Sequence, residues 1–228
     1  MSLMNWSIAV FGFTAAACGS GPDVKAPNAS DNVATYTLTF TGMWTAQNHP
    51  LDYPPGALIG GPHFSGLIGA THDGGYKIIK DGMPPSRGLE RLSEEGKHAP
   101  LDEEIRNAIS AGAAGALFES DGLGPSETVR VTVKVDQNHP MLSVVAMIAP
   151  SPDWFVGAGD VMLWENDAWV QRKEMDVFAW DSGGDDGTTY KADDKDTNPK
   201  KATSMSQSAH FVKDGAPVPV GHLIIEKK

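Results

Sequence analysis

The chain has 228 residues, enough for one large domain with a core of its own. A composition of 40% hydrophobic and 21% charged residues excludes a disordered chain, and no apolar run reaches the roughly 18 residues that a membrane-spanning helix needs. With 18 Lys plus Arg against 29 Asp plus Glu the net charge is −11, so nucleic acid is not a partner, and the single cysteine excludes an intrachain disulfide, a CxxC redox pair and a Cys-rich zinc site.

That cysteine, Cys18, ends an apolar stretch from Ile8 whose last residues are the small Ala15, Ala16 and Ala17. Small residues before a Cys suit a signal-peptidase pocket, so 1–18 reads as a bacterial lipoprotein signal with Cys18 the lipidated residue. The positive start expected of such a signal is missing, because residues 1–7 contain no Lys or Arg. Residues 19–33, mostly Gly, Ser, Pro, Ala and Asp, read as a flexible tether. The folded domain is expected over 34–228.

Thr35 to Gly42 alternates threonine with Tyr36, Leu38 and Phe40, the period of a strand with one buried face. Asn48 to Pro62 carries too many Pro and Gly for a regular element and reads as a long shaped loop. Between Pro85 and Gly112 the spacing turns helical: Leu89 and Leu92 are three apart, and Leu101, Ile105, Ala108 and Ile109 share one helix face behind an acidic first turn. Val129, Val131, Val133 and Val135 alternate in a second strand, and Leu142 to Ala149 is a near-continuous apolar third. Further strands are expected at Val161 to Trp164, Glu174 to Trp180 and Val220 to Ile225. Asp181 to Lys201, rich in Gly, Asp and Lys, reads as a solvated loop. These pieces make an all-β domain of antiparallel strands with a short helical insertion.

Chemistry-bearing motifs are few. No two of the seven histidines have the spacing of HExxH; His63 and His72 are the nearest candidates, with a structural role expected of both. There is no GxSxG elbow, and although Gly61 to Gly66 places His63 near Ser65, sequence proximity is not a triad. No phosphate loop is present. The strongest constellation is carboxylate: Ser151-Pro152-Asp153-Trp154-Phe155-Val156-Gly157 follows one strand, and Trp180-Asp181-Ser182-Gly183-Gly184-Asp185-Asp186-Gly187 follows another. Two such loops meeting at one end of a sandwich suit a hard cation, calcium or magnesium, whereas an EF-hand register fails at Asp186 and Ala192. A solvated Asp/Gly loop is the alternative from chemistry alone.

The run Met147 to Gly157 together with Trp180 to Gly187 resembles the spondin amino-terminal domain family, of the F-spondin and mindin type. Phe40-Thr41-Gly42-Met43-Trp44, His49-Pro50, Tyr53-Pro54, His63-Phe64-Ser65 and Ile68-Gly69-Ala70-Thr71-His72 agree with it, and the resemblance covers roughly Ala34 to Lys201. It implies a C2-like antiparallel β-sandwich holding calcium at one end, with the metal-binding acids falling on Asp153, Asp181 and Asp185 and no catalytic residue. Trp154 and Phe155 are expected to be core and loop anchors. The implied role is an extracellular adhesion or ligand-binding module that meets a protein or glycan, placed by Cys18 in the bacterial cell envelope as an outer-membrane lipoprotein, or secreted. The alternative from another class is a metal-dependent hydrolase using the same acidic loops. Animal members carry more cysteines and thrombospondin repeats, and the chain departs from them in having one Cys and no second module.

Overall fold

A computed structural model describes residues 32–56 and 60–228. Cys18 and all but the end of the expected tether lie outside the described residues. In chain order the strands are β1 Val33–Gly42, β2 His63–Phe64, β3 Ile68–His72, β4 Ala114–Glu119, β5 Thr128–Asp136, β6 Met141–Ala149, β7 Trp154–Met162, β8 Trp164–Glu165, β9 Ala168–Trp169, β10 Arg172–Asp181, β11 Ser204–Met205, β12 Val212–Lys213, β13 Ala216–Pro217 and β14 Gly221–Lys227. Two helices, α1 Arg87–Glu95 and α2 Leu101–Ser110, fall between β3 and β4. This is the all-β sandwich with a helical insertion that the alternating segments predict.

The long strands run in the order β4-β3-β6-β7-β10-β14-β1-β5, every neighbour antiparallel. β10 belongs to both layers, since Arg172 to Val177 pairs with β14 and Phe178 to Asp181 pairs with β7. The sheet therefore folds over itself, and β4 comes back close to β5 so that the barrel is nearly closed. Inside lie Tyr36, Leu38 and Phe40 from β1, Leu223 and Ile225 from β14, and Val144, Ala146 and Ile148 from β6.

A second apolar layer forms on the outer face of β3, β6 and β7, where Ile68, Ala70, Val145 and Phe155 pack under Leu89, Leu92, Leu101 and Ile105 of the helices. β6 is thus covered on both faces, the reason its sequence does not alternate. Helix α1 is set at both ends: Ser86 Oγ accepts from Leu89 N at 3.2 Å, and Gly96 closes it at φ 66°.

Three expectations need correction. The strand predicted at Val161 to Trp164 is not one element: Val161 and Met162 end β7, which begins at Trp154, inside the motif read as a loop, and Trp164 opens β8. β3 and β4 are strands that alternation does not mark: β3 is buried along its whole length, and a Cβ on Gly69 would lie 2.3 Å from Phe118 Cζ of β4 and 2.3 Å from Ser143 O. The 181–201 segment is not simply solvated, since Ser182, Gly183, Gly184, Asp185, Tyr190 and Thr197 are buried. Tyr190 enters the core against Trp44, Trp154, His210 and Phe211.

Candidate metal centre

The pairing of β7 with β10 places Asp181 opposite Trp154, so Asp153, immediately before β7, meets the end of β10. Residues 28 apart in sequence become neighbours because two antiparallel strands, one starting and one ending, share an end of the sandwich. Asp153 is fully buried. Its Oδ2 accepts from Ser182 Oγ at 2.9 Å, Gly184 N at 2.8 Å and Asp185 N at 3.2 Å, whereas Oδ1 has no hydrogen-bond partner. Burial raises the pKa of this carboxyl, and the nearby Asp185 adds to the effect.

Asp181 accepts from Gly183 N at 2.9 Å and from the Trp154 side chain. Burial first, and then the charge of Asp153, push its pKa up to about 6. Asp185 is buried with Oδ1 accepting from Gly187 N at 2.5 Å and Oδ2 from Lys195 N. The loop that supplies it is stitched by Thr197, whose hydroxyl donates to Gly183 O at 2.7 Å and Gly184 O at 3.0 Å. Asp153 therefore acts electrostatically on both Asp181 and Asp185, and one of its oxygens is left for a ligand. A buried, repelling set of carboxylates with an orphaned oxygen has the chemistry of a hard-cation site, although among the described residues these three do not bring one oxygen each within 4.8 Å of one another.

Sequence reasoning missed a group beside it. Glu90 and Glu94 on α1 and Asp196 on the 181–201 loop bring carboxylate oxygens within 4.8 Å of one another. Lys200 Nζ lies 2.8 Å from Glu90 Oε1, 3.2 Å from Asp196 Oδ1 and 3.1 Å from Gly184 O, so this cluster has a cation from the chain itself. Glu94 has no such partner for Oε1, and burial together with Glu90 raises its pKa to about 7. The signal was available as two glutamates four apart, a spacing that puts them on one helix face.

The histidines have structural partners. His72 is buried with Nδ1 2.7 Å from Asp73 O and Nε2 2.7 Å from Ser143 Oγ, and Ser143 is itself wholly inaccessible. Asp160 lies 3.7 Å from Nε2, on the wrong side of the ring for a triad that would orient Nδ1. His63 Nδ1 bonds Gly61 O, and Ser65 Oγ is engaged with Gly66 O and Met147 N, so the two do not form a pair. Trp154 and Phe155 are both buried, Trp154 against Tyr190, His210 and Phe211 and Phe155 stacked on Trp180, as anchors should be. Among the described residues no helix is long and apolar enough to cross a membrane.

A family model described as Spondin_N matches residues 34–216. Spondin-1 of Xenopus laevis is 32% identical over 208 residues, covering 85% of this chain and 25% of that protein. Human Spondin-1 is 31% identical over 209 residues with the same coverage, and human Spondin-2 is 33% identical over 181 residues, 78% of this chain and 54% of that protein. The chain thus spans about a quarter of the length of the Spondin-1 proteins and about half of Spondin-2.

Proposed function

Because the chain belongs to the Spondin_N family, we propose that it is an extracellular adhesion or ligand-binding module whose fold is held at one end by calcium. The observation that carries the calcium reading is the buried Asp153 carboxylate, one oxygen gripping three donors of the 182–185 turn and the other unpaired, with Asp181 and Asp185 beside it. Asp153, Asp181 and Asp185 would hold the ion, which supplies positive charge where three carboxylates repel. Its effect is structural: it ties the turn before β7 to the end of β10 and to the 181–201 loop, and so fixes the surface loops that meet a protein or glycan. Cys18, from its sequence context, would anchor the module in the envelope through a lipid.

Titration calorimetry of calcium and then magnesium into the full chain tests this. Extracellular calcium modules bind with dissociation constants of roughly 0.1–1 mM, and binding in that range is expected. Absence of heat and of any melting shift with either ion would overturn the calcium reading. Palmitate labelling in a Gram-negative host that persists in Cys18→Ser would overturn the anchor.

A further inference from the structure

We propose that Glu94 of α1 is a further carboxylate of the cation site, coordinating the ion from the helical insertion opposite Asp153. This rests on the calcium reading above and names a ligand that the two acidic loops do not contain. Among the described residues, four buried side-chain atoms lack a hydrogen-bond partner, and two of them are Asp153 Oδ1 and Glu94 Oε1. The two carboxylates meet at one residue, Asp153 through Oδ2 and Glu94 through Oε1. Gly184 N donates to Asp153 Oδ2 at 2.8 Å, and a Cβ on Gly184 would lie 2.6 Å from Glu94 Oε1, so the two carboxylates flank one glycine. Asp153 is fully buried, and its free oxygen is the one that the three donors to Oδ2 leave unused.

The neighbouring charges account for why Glu94 is the one left over. Lys200 reaches Glu90, Asp196 and Gly184 O, and neutralises the outer part of the helix cluster. Among the described residues no ion pair reaches Glu94; Glu90, Asp196 and Asp153 act on it with negative charge, which Lys200 offsets in part. A cavity of about 290 Å³ opens beside it between α1 and the Ser151-Pro152 turn that leads into Asp153. That volume admits a hydrated cation, which would reach Glu94 on one wall and the Asp153 turn on the other. Gly184 is needed there because any side chain would fill the space between the two carboxylates.

The test uses the full chain, with calcium binding followed by calorimetry and terbium binding by tryptophan-sensitised emission, since Trp154 and Trp180 lie beside Asp181. Glu94→Gln removes the charge at constant shape, Glu94→Asp keeps the charge but shortens the reach, and Glu103→Gln, exposed on α2, is the control. The expected result is calcium affinity at least tenfold weaker in Glu94→Gln and clearly weaker in Glu94→Asp, with Glu103→Gln at the wild-type value. Melting in EDTA should be unchanged or higher for Glu94→Gln, which separates ligation from a folding role. Wild-type affinity in Glu94→Gln overturns the proposal and leaves the Asp153 site standing. Weakening in Glu94→Gln with full affinity in Glu94→Asp overturns it too, because long-range charge would then suffice. A lower EDTA melting temperature in Glu94→Gln assigns the residue to packing instead. If wild type binds neither ion, the calcium reading falls and this proposal falls with it.

Discussion

Asp153→Asn should reverse sign with calcium. In the native turn Oδ2 accepts three hydrogen bonds and Oδ1 accepts none. An asparagine can keep its oxygen on those three donors and turn its amide nitrogen toward the position of Oδ1, where a nitrogen cannot ligate a hard cation. Without metal the substitution removes a fully buried charge repelled by Asp181 and Asp185, so the variant should melt at or above the wild-type temperature in EDTA. With calcium the order inverts. At ~2 mM calcium and a dissociation constant of ~0.1 mM, linkage adds about 1.8 kcal/mol to the wild type, or about 4–7 °C for a domain of this size, whereas the variant should gain almost nothing. Differential scanning calorimetry of both proteins in EDTA and in calcium measures all four values. Asp167→Asn, on the β8–β9 turn, is the control and should keep the full rise. A variant less stable than wild type in EDTA that still gains the whole calcium increment would refute the reasoning, because Asp153 would then be a structural bond and not a ligand.

The remaining predictions concern pH, the Ser–His contact and the tight central strand. Asp181 has a folded-state pKa of about 6, above its ordinary 3.8; a raised carboxylate holds its proton better when folded, so metal-free stability should fall as pH rises from about 4 through 6. The calcium-induced melting rise should grow over that same window, and equal rises at pH 5 and pH 8 would contradict it. Ser143→Ala strips the hydroxyl that meets His72 Nε2 and accepts from Asp160 N at 3.0 Å, and should cost about 2 kcal/mol in urea unfolding, whereas a hydrolytic serine would lose turnover with stability intact. Gly69→Ala forces a methyl into Phe118 and the Ser143 carbonyl and should cost about 3 kcal/mol or more; a smaller loss would show that β3 can shift away from β6.

Legibility followed exposure. β1 and β5 alternate because one face is wet, so their period marks them, and β6 is recognisable as an apolar run even though both faces are covered. β3 carried no period, because both its faces are covered and Gly69 is kept small by the close approach of Phe118 and the Ser143 carbonyl. The two acidic loops were legible as a hard-cation pattern, and the resemblance pointed to three of their acids. That Asp153 and Asp181 would stand at adjacent strand ends depends on β10 leaving β14 for β7 at Phe178, a switch no local residue announces. Glu94 was invisible as a site residue for a related reason: a glutamate on an amphipathic helix reads as solvated until the packing of α1 over β6 and β7 turns it toward Gly184.

The arrangement of donors argues for a clasp over a reaction centre. Each acid of the site spends at least one oxygen on backbone N–H groups of the 182–195 segment: Asp153 on Gly184 and Asp185, Asp181 on Gly183, Asp185 on Gly187 and Lys195. Those bonds fold the loop around the carboxylates and bring Tyr190 into the core against Trp44 and Trp154. Charge at the acids and burial of the loop are therefore coupled, since the N–H groups compensate only part of the repulsion and a cation would compensate the rest. Metal loss should be felt first as loosening between the 181–201 loop, the turn before β7 and helix α1. The loops that such a clasp would hold still in calcium lie at one end of the sandwich, where a binding module needs a rigid surface.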